Sequence, residues 1–338
     1  MTRRQERARW ILGGLALLVV VVVGVTALLV TRSDPAPTPP TAAPTPPANP
    51  PVDTAAIASA DDKGPVRFIT EDPTCTDWGS INGTLAATQR NGWDRRDATV
   101  PAREWTTEQQ GQYAAVAKAM LVAADETVEL AKLTPHRVMR ELYEQSIAYW
   151  RAYADAVPRY QPGDDYLALT AASAAGAIVS ICDALDFGAA AGRSPIVLPG
   201  SPPAQLPPLG DPARPTRFIS APSPFCAEWT SMVSRFDEET KDWRDRADPN
   251  VPAVGWSPGQ RRLYNDVVPA MQRNADRSQL LGLISGNVVA ADFAALSAQY
   301  RRAFIGAIPT YGPSDAYLNT AASRLLSVTD RACRSAAN

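Results

Sequence analysis

The side chains in this chain that could do chemistry are few: four cysteines, one histidine, and several acidic and aromatic clusters. Cys75 and Cys182 stand at the same separation as Cys226 and Cys333, and no C-x-x-C step supplies the close thiolate pair of a typical zinc site. That spacing favours disulfides. His136, beside Thr134-Pro135, has no second histidine near it and no evident orienting partner, so general-base and metal-ligand roles lack the groups they need. A di-iron helical bundle requires two Glu-x-x-His pairs. Patterns of the G-x-S-x-G, S-x-x-K, H-E-x-x-H and P-loop types are missing. The reading therefore assigns no catalytic residue, no metal ligand and no cofactor, although a carboxylate-only enzyme leaves no spacing signature.

Asp125, Glu126, Glu129, Glu141 and Glu144 are enough acids for a cation site. Arg137 precedes Glu141 by four residues and Arg140 precedes Glu144 by four, the spacing of ordinary helix-surface pairs, so a solvated face is expected. The sequon Asn82-Gly83-Thr84 reads as helix content. Trp78, Trp93, Trp105, Trp229, Trp243 and Trp256, with Tyr160, Tyr166, Tyr311 and Tyr317, could stack sugars. Each ring also buries roughly 150–250 Å², and packing is the expected use.

These residues recur because the chain repeats itself. YQPGDDYL at 160–167 returns as YGPSDAYL at 311–318, PVRFIT at 65–70 as PTRFIS at 215–220, and CTDW at 75–78 as CAEW at 226–229. A duplicated domain is the simplest reading, and it selects the pairings Cys75 with Cys182 and Cys226 with Cys333 from the three that four cysteines allow. Positions where the copies differ are the better functional candidates, because shared positions are explained by a shared fold. Trp150 aligns with Arg301, Arg151 with Arg302, Glu126 with Arg277 and Glu141 with Asp292. From first to last cysteine, copy one carries 10 basic and 13 acidic residues and copy two carries 12 of each, so specialisation is sought on outer faces. Trp150, Arg151, Arg301 and Arg302 are the candidate binding residues.

The elements that must position these groups read as helices. Start signals fall at Asp72-Pro73 and Ser223-Pro224, at Thr106 with Gln109 and Ser257 with Gln260 as capping boxes, at Thr134-Pro135 and Ser285, and at Gly163 and Ser314 inside the repeated octet. Apolar residues recur at three- and four-residue steps, as in Tyr113, Val116, Met120 and Ala124. Four such helices per copy fold most simply as an up-down-up-down bundle. Pro269 falls inside the second helix of copy two and is expected to kink it.

Ahead of the repeats, residues 10–30 (WILGGLALLVVVVVGVTALLV) carry no charge and, at about 1.5 Å per residue, match a hydrocarbon core of roughly 30 Å. Arg3, Arg4, Arg7 and Arg9 precede the run and only Arg32 closely follows it, which places the N-terminus in the cytoplasm and the bulk outside. Nine prolines between Pro35 and Pro51 read as an extended stalk. The expected organisation is a cytoplasmic tail at 1–9, a transmembrane helix at 10–30, a stalk at 31–62, helical repeats at 63–187 and 215–338, and a proline-rich linker at 188–214. Apolar residues in that linker, such as Ile196 and Leu206, predict that part of it lies on a bundle surface.

The fold class is thus all-α, with two duplicated four-helix bundles each closed by one disulfide. A net charge of −2 argues against extended nucleic-acid binding. Arginine exceeds lysine and alanine is abundant, a bias of high-GC bacteria. Together these features predict a non-enzymatic, membrane-anchored protein of the bacterial envelope that binds or scaffolds another envelope or membrane protein, or a wall glycan or lipid. A carboxylate-based hydrolase or transferase acting on envelope polymers is the alternative from another class, and a small-ligand or lipid carrier is the third reading.

Overall fold

The computed structural model describes residues 56–198, 200, 202, 203 and 205–338, all within one unit, Pro51–Asn338. The apolar run at 10–30 and the stalk up to residue 55 lie outside the described residues. Ten α-helices and several 3-10 turns make up the regular structure, with no strand among the described residues. They are α1 (Cys75–Gln89), α2 (Thr107–Leu133), α3 (Arg137–Ala156), α4 (Asp165–Asp186) and α5 (Ala189–Arg193), then α6 (Phe225–Glu239), α7 (Lys241–Arg246), α8 (Pro258–Ile284), α9 (Val288–Ala307) and α10 (Ala316–Ala336). In the first half α1, α2, α3 and α4 pack in a closed circuit, and α6, α8, α9 and α10 do the same in the second. Cys75 is bonded to Cys182 and Cys226 to Cys333, with Cα atoms 5.5 and 5.4 Å apart.

Local chemistry explains most helix boundaries. Thr106 Oγ1 accepts the Gln109 amide at 3.2 Å while Gln109 Oε1 accepts the Thr106 amide at 2.9 Å, a reciprocal capping box. In the second half Ser257 accepts the Gln260 amide at 3.1 Å, but the Gln260 side chain turns away to Asp248, donating to its carbonyl at 2.7 Å, so the box expected there is only half made. The third helix of each half starts later than its sequence signals suggest. Pro135 stays outside α3, whose N-cap is His136, and α9 starts after Asn287, whose Oδ1 accepts the Ala290 amide at 3.0 Å. The repeated octet is a helix-entry corner: in each copy a 3-10 turn, Pro162–Asp164 or Pro313–Asp315, feeds α4 or α10. Asp164 and Asp315 close these turns by accepting the amides of Gln161 at 2.7 Å and Gly312 at 2.8 Å. α8 continues through Pro269.

The two halves do not stand apart. α4 packs along α10 in the most extensive helix contact of the molecule, and one buried cluster runs from Val66 through both halves to Cys333. Ala168, Ala171, Ala174, Ala321 and Ala322 on these helices are all at most 1% exposed, and such small side chains let the backbones approach closely. The segment Pro162–Asp186 is apolar and long enough to cross a membrane, yet 72% of its apolar window is buried in the protein, so it serves as a core helix.

The halves also exchange their leading arms. Phe68 of the first arm packs on Tyr300 of α9 with ring centroids 4.6 Å apart, and Gln299 Nε2 donates to the Val66 carbonyl at 2.7 Å. Reciprocally, Gln145 and Tyr149 of α3 hold the second arm: Gln145 Nε2 donates to Thr216 O at 3.2 Å, its Oε1 accepts the Phe218 amide at 3.0 Å, and Tyr149 Oη donates to Ile219 O at 3.1 Å. Ile69 and Ile219, at 1% and 3% exposure, anchor the two arms.

Two expected boundaries shift. Residues 57–62, assigned to the stalk, belong to the folded part, since Ile57 is 4% exposed and the Asp62 carboxylate accepts the Arg137 amide at 2.8 Å. The linker opens with α5, where Ala190 is fully buried, and Arg193 pairs with Asp315 at 2.7 Å. Ile196 then lies over Gly306 of α9, so close that a β-carbon at Gly306 would stand 2.5 Å from its Cδ1. Leu198, by contrast, is 84% exposed.

Candidate functional site

Trp150 and Arg301 occupy equivalent places on α3 and α9, and each lines a pocket at the same place in its half. Both residues are 1% exposed, which corrects the expectation that they lie on outer faces. The reason is that α3 and α9 are enclosed on nearly all sides, by neighbouring helices and by the arms, so a position that differs between copies is not thereby a surface position.

In the first half, a pocket of about 310 Å³ between α1, α3 and α4 is walled by Trp150, Leu85, Ala172, Ala175 and Val179, with Arg324 of α10 at its rim. Trp150 stacks on Trp78 at 6.0 Å between ring centroids, and Trp78 in turn meets Tyr143 edge-on at 5.3 Å. Asn82, Gln89, Ser180 and Thr320 complete a lining that is polar and apolar in nearly equal measure.

The counterpart in the second half is larger, about 410 Å³, and its wall carries more charge. Arg301 replaces the tryptophan, Ser323 and Ser327 replace Ala172 and Gly176, and Asp330 and Arg331 replace Val179 and Ser180. Arg244 and Arg334 complete a wall holding four arginines against two aspartates, Asp237 and Asp330. Both aspartates are engaged: Asp330 takes Arg334 Nε at 3.0 Å and Thr230 Oγ1 at 2.9 Å, and Asp237 takes Arg244 at 2.8 Å.

Arg301 is the exception. Its guanidinium donates to the neutral Asn319 Oδ1, and to Ser323 Oγ at 3.0 Å, and it lies 4.6 Å from the centre of the Phe236 ring. Among the described residues no carboxylate lies within ion-pair distance of it, and its Nε has no acceptor. Burial pushes its pKa down to about 9 against the opposing pull of Asp237, so it keeps its proton at neutral pH while losing hydration. Trp243, on the same wall, also has an indole N–H without an acceptor. The second pocket therefore presents unused donors and positive charge.

The other two candidate residues have ordinary partners. Arg151 bonds Asp125 at 2.6 Å and the Ala213 carbonyl, which ties the linker to the first half. Arg302 is half-exposed and bonds Asp276 at 2.8 Å and Gln279 at 2.9 Å. His136 caps α3, with Nε2 2.8 Å from Glu71 O, which makes it a structural residue of the arm.

The acidic set divides. Asp125, Glu126 and Glu129 are on the surface as expected, but Glu141 is 1% exposed together with Arg137 and Arg140 at 3% and 2%. The solvated face expected there is instead a buried ionic seam between the halves. Arg137 turns away from Glu141 to Asp292 of α9, with Nε 2.7 Å from Oδ2. Burial first, then Asp292 and Glu144, pushes the Glu141 carboxyl well above its usual range, and burial raises Glu144 to about 7 against the pull of Arg140. No group of His, Cys, Asp and Glu suited to a metal ion occurs among the described residues. The tryptophans at 78, 93, 105, 229 and 256 are buried, in line with packing.

A third feature, which the sequence reading missed, is a groove of about 730 Å³ between α6 and α8, floored by Met232, Phe236 and Ala270. Its rim carries the ion pairs Arg273–Glu239, at 3.0 Å, and Arg277–Glu228. The equivalent positions in the first half are Val122, Thr88, Glu126 and Asp77, so the substitution of Glu126 by Arg277 was the visible signal.

The class is thereby defined: an all-helical protein with two disulfides and paired, chemically diverged pockets. The chain belongs to the mycobacterial ESX-1 associated protein family, whose model matches residues 57–337. It is 46% identical over 331 residues to an uncharacterized protein of Mycolicibacterium smegmatis (strain MKD8), across 98% of this chain and 87% of that protein. No solved structure matches it.

Proposed function

We propose that this protein is a membrane-anchored, non-enzymatic component of the mycobacterial envelope whose duplicated helical bundles bind or scaffold a protein of the ESX-1 secretion apparatus. The observation that carries the reading is membership of the ESX-1 associated family across nearly all of the described residues. The apolar run at 10–30, its arginine-rich leading flank, and two disulfides, which suit an oxidising compartment, support that location.

Binding fits the fold better than catalysis. The carboxyls raised most by burial, Glu141 and Glu144, are shut into a seam between helices, and the wall of the second pocket holds arginines, hydroxyls and two aspartates already engaged by arginines. The α6–α8 groove, with an apolar floor and a charged rim, has the character of a helix-accepting surface.

Affinity purification of the full-length protein from gently solubilised native membranes, followed by mass spectrometry, tests the reading. An ESX-1 component recovered in stoichiometric amount is the expected result, and its loss on Leu280→Arg, at an exposed position of the groove wall, would place the contact in the groove. Recovery of the protein alone, with ESX-1 secretion intact in a deletion strain, would end the scaffold reading.

A further inference from the structure

We infer that the pocket around Arg301 is a binding site for a phosphorylated small molecule, with Arg301 holding the phosphate group. This inference does not rest on the scaffold reading.

Three observations converge on it. A guanidinium that is 1% exposed has left water without gaining a carboxylate, a costly arrangement that an incoming oxyanion relieves. Arg301 lines the pocket with its Nε left without an acceptor, and the same wall holds Arg244, Arg331 and Arg334 and the hydroxyls of Thr240 and Ser323. Four arginines against two already engaged aspartates leave the wall with a surplus of two positive charges, matched to a phosphate monoester dianion more closely than to a single carboxylate.

Size and history agree. About 410 Å³ exceeds what inorganic phosphate alone would fill and lies within the usual range of small-molecule sites, roughly 300–1,000 Å³. The equivalent pocket in the first half has Trp150 at the place of Arg301 and Val179 at that of Asp330, so the fold itself does not demand charge at either of these positions. Arg301 also serves the pocket badly as a packing residue, since burying its charge weakens the fold that an apolar side chain would strengthen. Trp243 lines the same pocket, and its indole N–H also lacks an acceptor.

The test titrates the full-length protein in mild detergent with inorganic phosphate at constant ionic strength, chloride making up the balance, while heat and thermal midpoint are followed. Saturable heat from one site and a rising midpoint are expected for the parent. Arg301→Met, which keeps a long apolar stem, is expected to bind phosphate at least tenfold more weakly while unfolding no earlier than the parent. Arg331→Gln, on the partly exposed edge of the pocket, is expected to weaken binding several-fold with an unchanged midpoint, and it keeps the test decisive should Arg301→Met not fold. Glycerol 3-phosphate binding more tightly than inorganic phosphate supports the small-molecule assignment, whereas equal affinities overturn that part of it. No saturable response in the parent, or unaltered phosphate binding by the variants that fold, overturns the site.

Discussion

Arg137 and Asp292, 155 residues apart, form a buried two-pronged ion pair, with Nε 2.7 Å from Oδ2 and Nη2 3.3 Å from Oδ1. Asp292 is the counterpart of Glu141, so equivalent acids of the two halves meet in one seam and a single arginine binds only one of them. Arg137 also donates to the Asp62 and Gly64 carbonyls, and thereby fastens the first arm to the same seam.

Removing one partner leaves a buried charge uncompensated, so Asp292→Ala is expected to lower stability by about 3–5 kcal/mol. The double variant Arg137→Met/Asp292→Leu should recover a large part of that loss. Urea denaturation with two probes checks this, and a single variant within about 0.5 kcal/mol of the parent would contradict the seam's role.

Glu144 makes the same seam sensitive to pH. Its pKa rises from an ordinary 4.5 to about 7 on folding, so the folded state holds the proton more tightly than the unfolded state does. Stability from this group is therefore greatest at low pH, falls as pH climbs through that window and levels off above it; Glu141 acts in the same direction. At about 1.4 kcal/mol per pKa unit the fall attributable to Glu144 is at most about 3.5 kcal/mol. Glu144→Gln should flatten the slope measured between pH 5 and pH 7.5, and an unchanged slope would show that Glu144 ionises freely.

The disulfides make a prediction about the reduced protein. Each bridge ties the first helix of its half to the last across 107 residues, and a closed loop near 100 residues is worth up to about 4.7 kcal/mol in the chain-entropy model. Cys226→Ala/Cys333→Ala is expected to lose roughly 2–5 kcal/mol. Because one core spans both halves, the unfolding transition should move as a whole without splitting in two. Two separated calorimetric transitions would count against the shared core.

The anchor is tested by fractionation. The full-length protein is expected to stay with membranes through a carbonate wash, and a chain starting at residue 56 is expected to be released. A phosphatase reporter inserted in the stalk should be active only if that segment reaches the outside. Inactivity there would reverse the orientation drawn from the arginines at 3, 4, 7 and 9.

Much of the architecture is legible in the sequence. Thr106 with Gln109, the octet prolines and the three-and-four spacing of apolar residues are local signals, and local signals fix helices. Boundaries near prolines were less legible: Pro135 disfavours helical geometry in the residue before it, and the chain spends two more residues before α3 begins. For the pocket, comparing copies pointed to Trp150 and Arg301 but not to their burial. An arginine and an i,i+4 acid look alike in sequence whether the helix face meets water or another helix, which is also why Arg140 and Glu144 read as a surface pair.

By itself, then, the sequence determined the helical class, the repeat and the pairing of its cysteines, because capping and apolar periodicity act within a few residues and the repeat shows which cysteines are equivalent. Only the tertiary structure decided that PVRFIT packs on α9 and PTRFIS on α3. The glutamine hydrogen bonds that hold the arms come from residues the halves do not share, Gln145 aligning with Leu296 and Gln299 with Ala148, so no repeated signal marks where an arm docks. The choice is made by chain geometry and by the shared core, where α4 and α10 bring the halves together and leave the seam between α3 and α9 for the exchanged arms to fill.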